Sequence, residues 1–351
     1  MQHPVTFISS AGLLLLMVFL LQACAATTPP LAAQRPLLDR HQVQAFIDDM
    51  VAHHGFDRAR LAALLSRARE LPDIVTVMSR PYEAKPWYQY RPLFVNSARA
   101  EEGLAFWNAN AGALARAHRV YGVPPQIIVA IIGVETRYGT QMGRYSVLDA
   151  LTTLAFDYPP RARFFQTQLE DFLLLARAQN IDPLTVKGSY AGAMGQPQFL
   201  PSSFRRYAVD FDGDGRCDLW NDSTDAIGSV ANYFKAHGWK TGQPVTSRAR
   251  LVGHAYLPLL LDPALEPKLT LVQLKRDGVI PNRTLANDLH GALIALEGRY
   301  GMEYWVGLHN FYVITRYNHS ALYAMAVYQL SQKILHLHDH SGGSPESQTP
   351  P

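Results

Sequence analysis

Apolar positions set the outline of this chain. From Arg40 to Arg69, Val43, Phe46, Ile47 and Met50, and then Leu61, Leu64 and Leu65, recur at the spacing of one helix face and predict two amphipathic helices. Pro-rich sequence from Pro72 to Pro92 predicts an interruption of regular structure. Helical spacing returns from Ala98 to Val120, with Leu104, Trp107 and Leu114 as inward positions. Pro124-Pro125 suits a first helical turn, and Gln126 to Thr136 then carries Ile127, Ile128, Val129, Ile131, Ile132 and Val134. A helix apolar on nearly every side belongs in a core. Helices are also predicted over Phe164 to Ala178, Thr224 to His237 and Leu322 to His336, whereas Val245 to Thr284 mixes short apolar runs with Pro and Gly and predicts small strands. The expected class is mainly α (α+β) with a minor β portion and no internal repeat.

The N-terminus has a different pattern. Ala11 to Leu21 is a compact apolar run, short for a bilayer crossing but suited to the hydrophobic part of a secretory signal. It ends in Leu21-Gln22-Ala23-Cys24, which resembles a bacterial lipobox, although Met1 to Ser10 contains no Lys or Arg. The expectation is a lipoprotein signal peptide over 1–23, lipidation of Cys24, and a flexible Ala/Thr/Pro tether over 24–37. The folded body is expected over 38–337, followed by a disordered polar tail over 338–351. In that tail the alternating His336, His338 and His340 read as a solvated end and not as a metal site.

Composition narrows the classes. With 351 residues and 48% hydrophobic residues, the chain can bury a substantial core. A net charge of +3 with scattered Lys and Arg does not point to nucleic acid. Two cysteines in unlike contexts, Cys24 and Cys217, argue against a disulfide framework.

One carboxylate stands out. Glu135 lies at the far end of the apolar helix, where burial disfavours its charged form and suits it to donate a proton near neutral pH. A structural Glu satisfied by Arg137 or by backbone donors is the competing reading. Ordinary glycosidases need two carboxylates at a fixed separation. Asp149, Asp157 and Glu170 are available, but their spacing singles out none of them.

An acidic loop over 210–225 has metal-binding spacing. Asp210, Asp212, Asp214 and Asp218 occupy positions one, three, five and nine of an EF-hand pattern, with Gly215 at the sharp turn. Arg216 at position seven offers a backbone carbonyl. Position twelve is Asn221, not Glu, so Asp222 or Asp225 has to close the site. A structural calcium ion is the expected occupant, with Cys217 a small packed residue that hard calcium does not seek. No organic cofactor is expected.

Several sequence blocks carry a resemblance. Ile132-Gly133-Val134-Glu135-Thr136-Arg137-Tyr138-Gly139, Gly188 to Gly195, Gln198 to Ser203, Asp225 to Phe234 and Asn310 to Ser320 occur in order and resemble the family of membrane-bound lytic murein transglycosylase B, over about residues 40 to 335. The resemblance implies a lysozyme-like helical core with an additional helical region, a small β portion and a groove for a glycan strand. It implies that Glu135 is the single catalytic carboxylate. Such an enzyme cleaves the MurNAc-GlcNAc β-1,4 bond of peptidoglycan, and the muramoyl C6 hydroxyl attacks C1 to leave a 1,6-anhydromuramic acid end. By motif matching the groove residues are Tyr90, Arg161, Ser189, Met194, Gln198, Tyr233, Tyr317 and Tyr323, which would stack on or bond to sugars. Two departures occur: Tyr158-Pro159-Pro160-Arg161 keeps one arginine where the family shows two, and Gln196-Pro197 stands where the family has Tyr-Gly.

The family's variant EF-hand loop implies calcium on Asp210, Asp212, Asp214, Arg216 and Asp225. Gly133 and the glycines around Met194 are expected to let backbone approach a sugar. Ala25 after the cysteine, not an acidic residue, points to an outer-membrane lipoprotein facing the periplasm. The implied partners are glycan strands, the membrane through its lipid anchor, and cell-wall synthesis proteins. The alternatives are a lysozyme-type hydrolase, which uses water, and a glycan-binding protein without turnover.

Overall fold

The computed structural model describes residues 36–79, 85–261 and 264–341. Expectations for 1–23, for Cys24 and for most of the tether lie outside the described residues.

The chain opens with helices α1 (His41–His54), α2 (Arg58–Leu65), α3 (Pro72–Met78), α4 (Trp87–Phe94), α5 (Ser97–Ala109), α6 (Ala111–Tyr121) and α7 (Pro125–Thr136). Local chemistry marks their ends. Asp57 caps α2 by accepting from the Arg60 amide, Asn96 caps α5 through the Arg99 amide, and Gly55 and Gly122 close α1 and α6 in left-handed conformation. The two helices expected over 40–69 are α1 and α2. The Pro-rich stretch departs from expectation: Pro72 starts α3 at a position that needs no N–H, and Pro92 is tolerated near the end of α4.

Strand β1 (Tyr145–Ser146) leads into α8 (Val147–Asp157), then α9 (Ala162–Ala178), β2 (Lys187–Gly188), α10 (Pro201–Tyr207) and α11 (Ser223–Ala236). β1 and β2 pair as a small antiparallel ribbon. The remainder is β3 (Thr246–Leu251), α12 (Leu257–Leu261), β4 (Leu269–Thr270), α13 (Leu271–Arg276), β5 (Val279–Pro281), β6 (His290–Gly298), β7 (Gly301–Leu308), α14 (His309–Tyr317) and α15 (Ala321–Ser341). Five of these strands form an antiparallel sheet in the order β4-β6-β7-β3-β5. The strands expected over 245–284 are present, but the longest two, β6 and β7, lie beyond that range.

The ordered body is longer than expected at its end. Helix α15 continues through His338 to Ser341, and His338 stacks on Trp107 at 4.1 Å. The expected boundary of disorder at 338 is therefore corrected, and 342–351 lie outside the described residues.

Three apolar clusters organise the fold. One gathers α4 to α7, α11, α14, α15 and a face of β6 and β7; a second gathers α1 to α3 with α8, α9 and α10; a third lies between the sheet and α13. Helix α7 is the axis of the first, packed against α5, α6, α11 and α15. Ile127, Ile128, Val129, Ile131 and Ile132 are almost wholly removed from water. Each such side chain contributes about 1.5–3 kcal/mol on burial, so the end of α7 is a firmly held platform.

Candidate functional site

Glu135 sits in the last turn of that platform, partly accessible and surrounded by tyrosines. The Tyr323 hydroxyl donates to Glu135 Oε1 at 2.5 Å. Burial pushes the Glu135 carboxyl up to about 7, and the Tyr323 hydrogen bond works against that rise. Tyr317 stacks on Tyr323 with centroids 6.4 Å apart, and Tyr233 lies 4.8 Å from Tyr317. Burial and the nearby Glu135 hold the Tyr317 and Tyr323 hydroxyls well above the ordinary tyrosine range, so both stay protonated donors. Of the three acids that might have paired with Glu135, Asp149 accepts from the Arg69 amide, Asp157 pairs with Arg40 at 2.7 Å and Glu170 pairs with His54 at 2.8 Å.

The turn behind Glu135 is strained. Arg137 and Tyr138 adopt φ of 50° and 59°, a region that costs non-glycine residues energy. Side chains hold them there. Arg137 makes a two-pronged ion pair with Glu102, and Tyr138 donates to the Arg99 carbonyl at 2.7 Å while Arg99 donates to the Gly133 carbonyl. Arg137 therefore does not neutralise Glu135. Thr136 donates to the Gln196 carbonyl at 2.8 Å, and the Gln196 amide donates to the Leu219 carbonyl at 2.7 Å, which links the end of α7 to the acidic loop.

The other expected residues are distributed as follows. Tyr317 donates to the Pro197 carbonyl at 2.6 Å, and Tyr233 donates to the Arg316 carbonyl at 2.6 Å. Gln198, at φ 50°, turns its amide to the Met142 and Gly195 carbonyls. Ser189 accepts from the Ala191 and Ala193 amides and shapes the glycine-rich turn. Tyr90 is buried against Trp87 and Phe94. The expectation for Met194 needs correction, because its side chain is fully buried and offers no surface to a sugar; only its backbone, bonded to Phe199, shapes the loop. Arg161 is exposed on the turn before α9 with its guanidinium over Phe164 at 4.2 Å, and no contact joins it to the Glu135 cluster.

The glycines also differ from expectation. A Cβ on Gly133 would lie 2.6 Å from the Tyr138 ring, on Gly192 it would strike Leu151, and on Gly195 it would strike Leu219. These positions have an internal packing role that their sequence context did not show. Sequence reasoning missed Glu102, Arg99 and Phe199, whose ring packs on Tyr233 and Tyr317. Glu102 and Arg99 sit on an ordinary amphipathic helix, and only the fold turns them toward α7.

The acidic loop converges as a cation site would require. One carboxylate oxygen each from Asp210, Asp212 and Asp214 lie within 4.8 Å of one another, and so do those from Asp212, Asp222 and Asp225. Asp225, buried at the start of α11, is raised above the ordinary carboxyl range by burial, against the amides of Phe211 and Asp218, with Asp222 adding to the rise. A hard, oxygen-seeking cation fits this donor set. Asp218 does not join it, because its carboxylate accepts from the Trp220 and Asn221 amides. Asp222, weighed as a closing residue, does, while it also caps α11. Arg216 is exposed, and its amide donates to Asp214. Burial pushes the Cys217 thiol up to about 12, which makes it inert.

Known proteins share this fold. Residues 39–332 match the transglycosylase SLT domain. The chain is 49% identical over 301 residues, 83% of this chain and 82% of the relative, to membrane-bound lytic murein transglycosylase B of Escherichia coli (strain K12). Soluble lytic transglycosylase SltB1 from Pseudomonas aeruginosa superposes with a TM-score of 0.80 at 51% identity, covering 86% of this chain and 100% of that one. The Escherichia coli lytic transglycosylase Slt35 in complex with calcium superposes with a TM-score of 0.79 at 48% identity, covering 86% and 95%. With the family model matching residues 39–332 and a relative 49% identical over most of both chains, the chain belongs to the SLT-domain family of lytic transglycosylases, which cleave peptidoglycan.

Proposed function

We propose that Glu135 is both the acid and the base with which this peptidoglycan-cleaving transglycosylase breaks the MurNAc-GlcNAc β-1,4 bond. One observation carries the reading: a carboxyl raised to about 7 receives a tyrosine hydrogen bond and feels no second carboxylate. Protonated Glu135 gives its proton to the glycosidic oxygen as the bond to C1 breaks. The carboxylate left behind accepts the proton of the muramoyl C6 hydroxyl, and that oxygen closes on C1 to form the 1,6-anhydro ring. The proton returns to Glu135, and no water is consumed. The Tyr323 donor steadies the carboxylate between the two steps. Tyr90, Gln198, Ser189, Tyr233 and Tyr317 shape the cleft around the strand, and Arg161 meets a more remote part of it.

The converging carboxylates of Asp210, Asp212, Asp214, Asp222 and Asp225 support a calcium site, consistent with the calcium complex of Slt35. Bound there, calcium supplies rigidity to the loop and no chemistry to the reaction. The membrane-bound relative supports the envelope as the location and the lipobox-like Cys24 as an anchor, with the outer membrane and its periplasmic face as the finer reading.

The test is mass spectrometry of products released from purified peptidoglycan. Products lighter by one water than reducing-end fragments support the reading; ordinary reducing ends point to a hydrolase. Glu135→Gln is expected to abolish release while strand binding persists, and undiminished turnover would sink the assignment.

A further inference from the structure

A second cavity lies away from Glu135, between α4, β3 and the tip of the β6–β7 hairpin, with a volume of about 650 Å³. That is the size of a small-molecule or short-peptide site. Its walls combine aromatic rings and arginines: Trp87, Tyr88 and Arg91 from α4, Arg248 from β3, and Arg299 and Trp305 from the hairpin.

The charges are unbalanced. Arg248 is paired with Glu303 at 2.8 Å. Arg91 spends its Nε on the neutral Gln329 at 2.6 Å, and neither Arg91 nor Arg299 has a carboxylate partner among the described residues. The hairpin turns through Arg299 and Tyr300 alone, and Tyr300 stands 96% exposed beside the cavity. A whole ring held in water on a tight turn is a contact surface without its counterpart. The indole N–H groups of Trp87 and Trp305 are buried in the same wall and have no acceptor.

The cavity and Glu135 are served by the same two helices. Trp87 stacks on Tyr90 at 6.4 Å, and Tyr323 bonds Glu135. The two helices that carry Tyr90 and Tyr323, α4 and α15, carry Arg91 and Gln329 to the cavity.

We propose that this cavity binds the carboxylate-bearing peptide that hangs from the glycan strand, an inference that rests on the peptidoglycan-cleaving activity. Free carboxylates of the peptide meet Arg91 and Arg299, and its aliphatic side chains lie on Tyr88, Tyr300 and Trp305. On a peptide-bearing strand the lactyl carboxyl is amide-linked and the sugars are uncharged, so more of the same glycan uses the rings but leaves two arginines unanswered, and the peptide is the fitting occupant.

The test uses Arg91→Ala combined with Arg299→Ala, both at exposed positions, with a matching melting temperature required of the variant. Two substrates are compared: strands bearing their peptides, and the same strands stripped of peptide by an amidase. The expected result is a KM raised about tenfold on peptide-bearing strands with kcat and the stripped-strand kinetics unchanged. Titration of an N-acetylated pentapeptide with a free C-terminus is expected to show the same loss of affinity in the double variant and none in Glu135→Gln. Wild-type kinetics on peptide-bearing strands, or an equal loss on both substrates, would overturn the proposal. Failure of the activity itself shows separately, as absence of anhydro products from wild-type protein on either substrate while the pentapeptide still binds.

Discussion

At the scale of a residue, Glu135 is held in a state that the unfolded chain does not share. Its folded carboxyl titrates near 7, above the ordinary value of 4.5, because burial disfavours the anion. The unfolded state thus loses its proton first as pH rises. Between those values the folded state binds more protons, so stability falls with rising pH and the penalty is complete above about 7. Glu135→Gln removes the ionisation but keeps an acceptor for Tyr323. Denaturant unfolding is expected to find the variant more stable than wild type at pH 8, by on the order of 2–3 kcal/mol, and equal to it at pH 4. Equal stabilities at pH 8 would show that Glu135 is not desolvated. Catalysis needs the protonated form first, so the rate should fall on the alkaline side of about 7. Tyr323→Phe deletes the one bond that lowers the Glu135 pKa, so the alkaline limb of the pH–rate profile is expected to move upward while kcat drops about tenfold. A downward move would contradict the assigned role.

At the scale of an element, α7 was the most legible part of the chain, since six large aliphatic residues within the eight positions 127–134 leave little choice but a buried helix. The carboxylate at its end could be read for the same reason. What the sequence did not carry was the turn that follows it. Two successive left-handed residues, Arg137 and Tyr138, have no signature of their own; they depend on Glu102 and Arg99 from α5, a contact that only tertiary packing creates. The hairpin of β6 and β7 was missed for a different reason. β6 is buried on both faces from Gly291 to Ile294 and β7 from Trp305 to Leu308, so the alternation that marks a half-exposed strand survives only over 294–298. Gly133 shows how tightly the helix and its turn are fitted. Alanine ordinarily favours a helix over glycine by about 1 kcal/mol, yet here the new methyl would meet the Tyr138 ring at 2.6 Å. That ring is fixed by its bond to Arg99 and by Phe106 at 5.6 Å. Gly133→Ala is expected to destabilise the protein by about 2 kcal/mol and to slow turnover, measured by urea unfolding and product release. A gain in stability would mean that the turn is free to relax.

At the scale of the whole molecule, the acidic loop and Glu135 are connected through few bonds. Asp225 starts α11, whose Tyr233 packs on Tyr317 beside Tyr323. Leu219, within the loop, accepts from the Gln196 amide, and the Gln196 carbonyl accepts from Thr136, the neighbour of Glu135. Loosening the loop therefore disturbs the cleft by two routes, one through α11 and one through Gln196. Without a cation, the carboxylates of two triplets that share Asp212 lie at short distances, and backbone amides oppose their repulsion. Calcium bound to the folded loop stabilises it by mass action, by about 2.7 kcal/mol at a hundredfold excess over Kd. Chelation is expected to lower the melting temperature by several degrees and to reduce kcat more than it raises KM, because the groups disturbed position Glu135. Asp212 belongs to both carboxylate groups yet is exposed, so Asp212→Asn removes a shared ligand without opening the core. That variant should melt at one temperature with or without calcium. If it still responds as wild type does, the ion stabilises the protein somewhere other than this loop, and the two routes to Glu135 lose their source.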